Sequence, residues 1–134
     1  MPRNQIQKSL FAMLLGSLFL TGCGVHNPFC GSDRPVPVLG WLAPNPASFA
    51  QVQQGLLLTV YGSHFYSESI VRWNGEALST RVMSGTQLQT TVTTAQMPSP
   101  GSAQIVVHTP PNLAGDLGCD SGGDSEASTL TVTE

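Results

Sequence analysis

The stretch Gly55–Leu78, GLLLTVYGSHFYSESIVRWNGEAL, decides the fold. Leu56, Leu58 and Val60 alternate with Leu57, Thr59 and Tyr61, the period of two by which a strand buries one face. Gly62-Ser63 reads as the break that ends this run. Ile70–Trp73, β-branched and aromatic, reads as a second strand closed by Asn74-Gly75. Asn-Gly between extended runs signals a hairpin, because a type I′ turn needs positive φ at both central residues. Working outward, Leu78, Val82, Leu88 and Val92 continue the apolar alternation, with Thr and Gln between them facing water. Met97–Gly101 is a turn cluster, Ile105–Val107 a buried strand, and Leu130 and Val132 share one face of the last strand. Pro35, Pro37, Pro44 and Pro46 exclude a helix from the first strand region. Trp41 is expected to pack where that strand meets the core, and Phe49–Gln54 forms either a single turn or an extended link. About seven short strands with frequent turn signals predict an all-β chain, a single-domain β-sandwich.

The same residues resemble a known family. A strand ending in Gly, then Gly62-Ser63-His64-Phe65, then Val71-Arg72-Trp73-Asn74-Gly75, is similar to the IPT/TIG domain of plexins, transcription factors and bacterial surface proteins. Pro37-Val38-Leu39 with Pro44-Asn45-Pro46 resembles its opening strand and turn. Thr86–Thr90, Ala103–Val107 and Thr129–Thr133 resemble its later strands. The resemblance covers residues 36–134 and implies an immunoglobulin-like β-sandwich of the E-set type, with Phe65 as a buried anchor. Two departures stand out: His64 where the family has Asn, and a long insertion before the last strand.

Residues 1–22 read as a targeting segment. Arg3 and Lys8 form a positive n-region, and Leu10–Leu20 is an apolar stretch too short to span a bilayer. It ends in Leu20-Thr21-Gly22-Cys23, which resembles the bacterial lipobox, where the Cys is acylated before cleavage. The alternative is an ordinary signal peptide with a cysteine nearby by chance. Lipoprotein processing implies more than one acyl chain, palmitate included, on Cys23, and two or more chains anchor stably at ~0.8 kcal/mol per buried methylene. Residues 23–35 then form a lipidated Pro/Gly/polar tether, and 36–134 the folded domain. Gly24 follows the cysteine. Because an Asp there retains lipoproteins at the inner membrane, Gly24 favours the outer membrane if the source is Gram-negative. The expected location is the cell envelope.

Cleavage leaves 112 of the 134 residues, enough for one modest core. The mature chain keeps Arg34, Arg72 and Arg81 against all 8 acids and has no lysine, a net charge of −5. A phosphate-binding surface needs clustered cations, so the DNA binding of some family members does not carry over. His26, His64 and His108 are scattered without metal-ligand spacing, and no metal site or cofactor is expected. Ser63 lacks the second glycine and the strand-to-helix setting of a nucleophile elbow. Glu68, Glu76 and Glu134 read as loop or edge positions rather than the buried acid pair of a glycosidase. The chain is not expected to be an enzyme. The expected function is non-catalytic binding or scaffolding at the membrane surface, with an envelope protein or polysaccharide partner.

Trp73 and Phe65 read as core. Tyr66, Tyr61 and Trp41 are the candidates for exposure. A row of exposed aromatics stacks on sugar rings, which gives the alternative function of a surface glycan-binding module. Residues 110–128 separate two strands by a stretch that long loops rarely reach without function or disorder. Asp116, Asp120, Asp124 and Glu126 make it acidic, without the spacing of an EF-hand; a loose calcium site stands against a solvated loop. With Cys23 lipidated, Cys30 and Cys119 remain as an even pair in an oxidising compartment and are expected to form a disulfide. Two free thiols or an intermolecular bridge are the competing readings.

Overall fold

The computed structural model describes residues 34–111 and 122–134. Residues 1–33, with Cys23 and Cys30, and residues 112–121, with Cys119, lie outside the described residues, and with them the targeting, lipidation and disulfide expectations. In chain order the elements are β1 (Val38–Ala43), β2 (Ala47–Ser48), a single-turn helix α1 (Phe49–Gln53), β3 (Leu56–Ser63), β4 (Ile70–Trp73) and β5 (Glu76–Ala77). β6 (Thr80–Ser84), β7 (Gln87–Val92), β8 (Gly101–Thr109), β9 (Gly123–Asp124) and β10 (Ser128–Thr133) complete the described chain. The described residues are all-β apart from α1.

The strands form two sheets. One has the order β1-β3-β7-β6, antiparallel throughout. The other has the order β2-β10-β8-β4-β5, with β9 added against β8. Its β2–β10 pair is parallel and the others are antiparallel. Both sheets follow from the alternation read in the sequence. Leu56, Leu58, Val60, Leu88 and Val92 from the first sheet are buried in one cluster with Val71, Trp73, Ile105, Val107, Leu130 and Val132 from the second. Phe65 is buried as expected. The helix α1 is capped reciprocally by Ser48 and Gln51 and inserts Val52 into the same core.

The turn at Asn74-Gly75 has φ of 48° and 92°, and Trp73 faces Glu76 across it, as the I′ signal requires. Four local readings are corrected. Gly62-Ser63 does not end β3: the strand runs to Ser63, paired as Leu39–Gly62 and Val38–Ser63. The glycine is needed because a Cβ there would lie 1.9 Å from the Val38 carbonyl oxygen and 2.7 Å from the Phe65 ring. Thr90 does not face water; it shares the inward side with Leu88 and Val92, and its hydroxyl donates to the Ser79 carbonyl at 2.8 Å. Trp41 does not pack into the core; it is 56% exposed. A bulge between Leu39 and Trp41 shifts the alternation by one residue, so that Leu39 and Leu42 turn inward and Trp41 outward.

The last correction concerns the insertion. Residues 122–127 are not free loop: Gly123 and Asp124 pair with Thr109 and His108. Just beyond, Ser125 exchanges hydrogen bonds with Val107, its N–H donating to the Val107 carbonyl at 2.8 Å and its hydroxyl accepting the Val107 N–H at 2.9 Å.

Candidate functional site

The outward positions of the first sheet form the most distinctive surface. Period two directs Leu57, Thr59 and Tyr61 of β3 away from the core, because Leu56, Leu58 and Val60 face it. The bulge adds Trp41 of β1. In the same way Gln87, Gln89 and Thr91 of β7, and Arg81 of β6, turn away from the core. Register fixes their neighbours: Trp41 opposes Tyr61, and Tyr61 opposes Gln87. Thr59 opposes Gln89, which in turn opposes Arg81; Leu57 opposes Thr91.

The Trp41 and Tyr61 rings stack with centroids 3.8 Å apart and planes 10° from parallel. Such a cross-strand pair is worth about 1 kcal/mol beyond the area it buries. Leu57, 54% exposed, stands on the same face. Beside it Arg81, Gln89, Thr91 and Ser79 line an open groove of about 430 Å³. Among the described residues, the side chains of Thr59, Arg81, Gln87, Gln89 and Thr91 make no hydrogen bond to protein. Of these, Arg81 and Thr91 are exposed, and Thr59, Gln87 and Gln89 half-buried.

A second cluster lies on the other sheet. The Asp124 carboxylate accepts from Arg72 Nη1 at 3.2 Å and is 2.5 Å from His108 Nδ1. Strand pairing brings these groups together: Arg72 and His108 are outward positions on the adjacent strands β4 and β8, and β9 lies along β8. A histidine beside a carboxylate is part of a hydrolytic triad, which also needs a nucleophile on the far ring nitrogen. Among the described residues no serine, threonine or cysteine bonds to His108. Asp124 is shared with a guanidinium, so the cluster acts as a pin for β9.

The third cluster is at the chain entry. Arg34 donates to the Pro110 carbonyl at 3.3 Å and to Glu68 at 3.2 Å, and its guanidinium sits 4.9 Å from the Tyr66 ring centroid. A hydrogen bond from Ser67, then one from Arg34, holds the Glu68 carboxyl below the usual glutamate range.

The sequence-predicted residues are therefore dispersed. His64 is exposed in the turn after β3 and His108 is half-buried on β8, and Glu68, Glu76 and Glu134 are all exposed. Among the described residues no group of three or more His, Cys, Asp or Glu side chains is placed to hold a metal ion. Sequence reasoning named Trp41 and Tyr61 as candidates but missed Arg81, Gln87 and Gln89 as their neighbours. The signal was present in the polar half of β7, while the strand order that sets it beside β3 was not.

No protein-family model matches the chain, and no curated protein matches it in sequence. Among solved structures it is similar to a crystal structure from Bacteroides thetaiotaomicron VPI-5482, of a protein named provisionally as a phosphatase. The two are 15% identical with a TM-score of 0.46, over 76% of this chain and 19% of that one. A likeness at that level carries nothing about activity.

Proposed function

We propose that the chain is a bacterial cell-envelope lipoprotein whose single immunoglobulin-like domain, of the IPT/TIG type, binds a partner at the membrane surface without catalysis. The strand order supports the immunoglobulin-like reading. In that fold one sheet runs A-B-E-D and the other is C-F-G. Here β1-β3-β7-β6 takes the first set, and β10-β8-β4 the second, in the matching chain order. His64, standing where the family has Asn, holds a φ of 60°, a left-handed conformation in which Asn is enriched. The lipobox-like Leu20–Cys23 after a short apolar segment supports the anchor.

The observation that carries a binding role is the outer face of the first sheet. It exposes a stacked aromatic pair and a leucine beside polar groups that the described protein leaves unbonded. Exposed apolar patches rimmed by polar groups mark interaction sites. The test has two arms. Fractionation and mass spectrometry should find wild type in the membrane with an acylated Cys23, and Cys23→Ser uncleaved or soluble. Crosslinking from Gln89 in intact cells should then capture an envelope component. Unmodified Cys23 in wild type overturns the lipoprotein reading, and an empty crosslink overturns the binding face.

A further inference from the structure

We propose that the outer face of the β1-β3-β7-β6 sheet binds a neutral polysaccharide laid diagonally across the strands. The inference rests on the binding role above and names its ligand class.

Charge narrows the ligand first. Arg81 is the one charged side chain among the outward positions of this sheet. The described acids Glu68, Glu76, Asp124, Glu126 and Glu134 all lie elsewhere, in loops, on the second sheet or at the C-terminus. An anionic polymer needs several cations to replace its counterions, and a basic partner needs acids; this face offers neither set. An uncharged ligand meets no such requirement.

Side-chain chemistry narrows it further. Gln87 and Gln89 present amides that both donate and accept, and Thr59 and Thr91 present hydroxyls that do the same. A sugar hydroxyl likewise donates and accepts, so this row can pair with a polyol in either sense. The apolar element is the aromatic stack together with Leu57, a surface against which the C–H groups of a pyranose can pack. Bulges re-aim side chains, and the bulge between Leu39 and Trp41 turns outward a tryptophan that unbroken alternation would have buried.

Extent favours a chain over a single sugar. The aromatic pair sits at one corner, opposite Gln87, and the Leu57–Arg81–Thr91 groove lies at the other. From Gln87 to Thr91 the strand alone covers roughly 13 Å at ~3.3 Å per residue. The groove is open at the surface, as a site for an extended polymer must be.

The full-length protein, in detergent, is run through gels containing dissolved mixed-linkage β-glucan, galactomannan or arabinoxylan, with polygalacturonate as the anionic comparison. Retardation is expected in at least one neutral gel and not in polygalacturonate. Trp41→Ala should weaken it about tenfold, as loss of an aromatic anchor does. Gln89→Ala, a change at a half-buried position that points away from the core, should weaken it several-fold, and Glu76→Gln on the distant hairpin should not. Thermal melts of each variant separate unfolding from lost binding. No retardation in any neutral gel, or retardation that survives both Trp41→Ala and Gln89→Ala, overturns the proposal. If the gels are flat while a crosslinker at Gln89 captures an envelope protein, the binding face stands and its ligand class is wrong. If both are blank, both readings fall.

Discussion

Gly62 and Gly75 separate two reasons for a glycine. At Gly75 a Cβ would meet nothing within 4 Å, so only the φ of 92° resists substitution. Gly75→Val should therefore cost about 1 kcal/mol or more, from strain on a β-branched residue. At Gly62 an added Cβ would overlap the Val38 carbonyl and the buried Phe65 ring, and the Val38 backbone cannot yield without parting β1 from β3. Gly62→Ala, the smaller change, should cost about 3 kcal/mol or more. Denaturant unfolding of both variants checks the order, and equal losses would refute it. The hairpin glycine was legible in sequence because its partner residue is adjacent. Gly62 resembles a break in the sequence because its constraint comes from residues brought close only by folding. Glu68 gives a pH prediction at the same scale. Its carboxyl is held below the ordinary value of 4.5, so the ionised form is favoured in the folded state. That stability is present above the ordinary value and is lost as pH falls through the folded value. The stability gap between wild type and Glu68→Gln should hold at neutral pH and narrow below 4.5; a gap that widens on acidification contradicts it.

At the scale of elements, the alternation in β3, β7, β8 and β10 was legible because each strand buries one face. The β1 bulge was not: a one-residue shift leaves no mark in a run such as VLGWLA. Nor was β9, since Gly123-Asp124 has no strand propensity and pairs because Asp124 is pinned by Arg72 and His108. These contacts bear on the Cys30–Cys119 pairing. Arg34 bonds the Pro110 carbonyl, and Gly122 packs against the backbone of Thr109 and Pro110. The described residues that flank the two cysteine-bearing stretches, Arg34, Pro110 and Gly122, thus lie together. Cys30 lies four residues before Arg34 and Cys119 three before Gly122. At ~3.4 Å per residue these are reaches of roughly 14 and 10 Å, so a bridge requires no movement of the sheets. Closing so long a loop is worth about 4 kcal/mol in the chain-entropy view. Non-reducing peptide mapping should recover a Cys30–Cys119 peptide. Free thiols, or a Cys119–Cys119 dimer, would contradict the pairing.

For the whole molecule, strand direction sorts the loops into two ends. Val38, Ser63, Gln87 and Thr109 lie toward the end where Arg34 enters, with the turns 64–69 and 84–86. Ala43, Leu56, Val92, Gly101 and Val132 lie toward the other, with the turns 44–46 and 93–100 and the C-terminus. If Cys23 carries lipid, residues 24–33 join it to the first end. With Cys30 held at that end by its bridge to Cys119, the chain from Cys23 to Cys30 reaches at most about 24 Å. The domain is longer, since the nine residues of β8 cover about 30 Å. Tumbling on the tether therefore leaves the Arg34 end nearer the bilayer, while both sheet faces stay open to solvent. The prediction is read with a fluorophore on Ser67→Cys or Ala95→Cys, in vesicles whose lipids carry a quencher. Both residues are exposed, one at each end. Ser67→Cys should be quenched more strongly, and further disulfide engineering is unnecessary if Cys30 and Cys119 are already paired. Equal or reversed quenching would contradict the orientation, whereas failure of the Cys23-bearing protein to join vesicles at all would instead remove the anchor on which it depends.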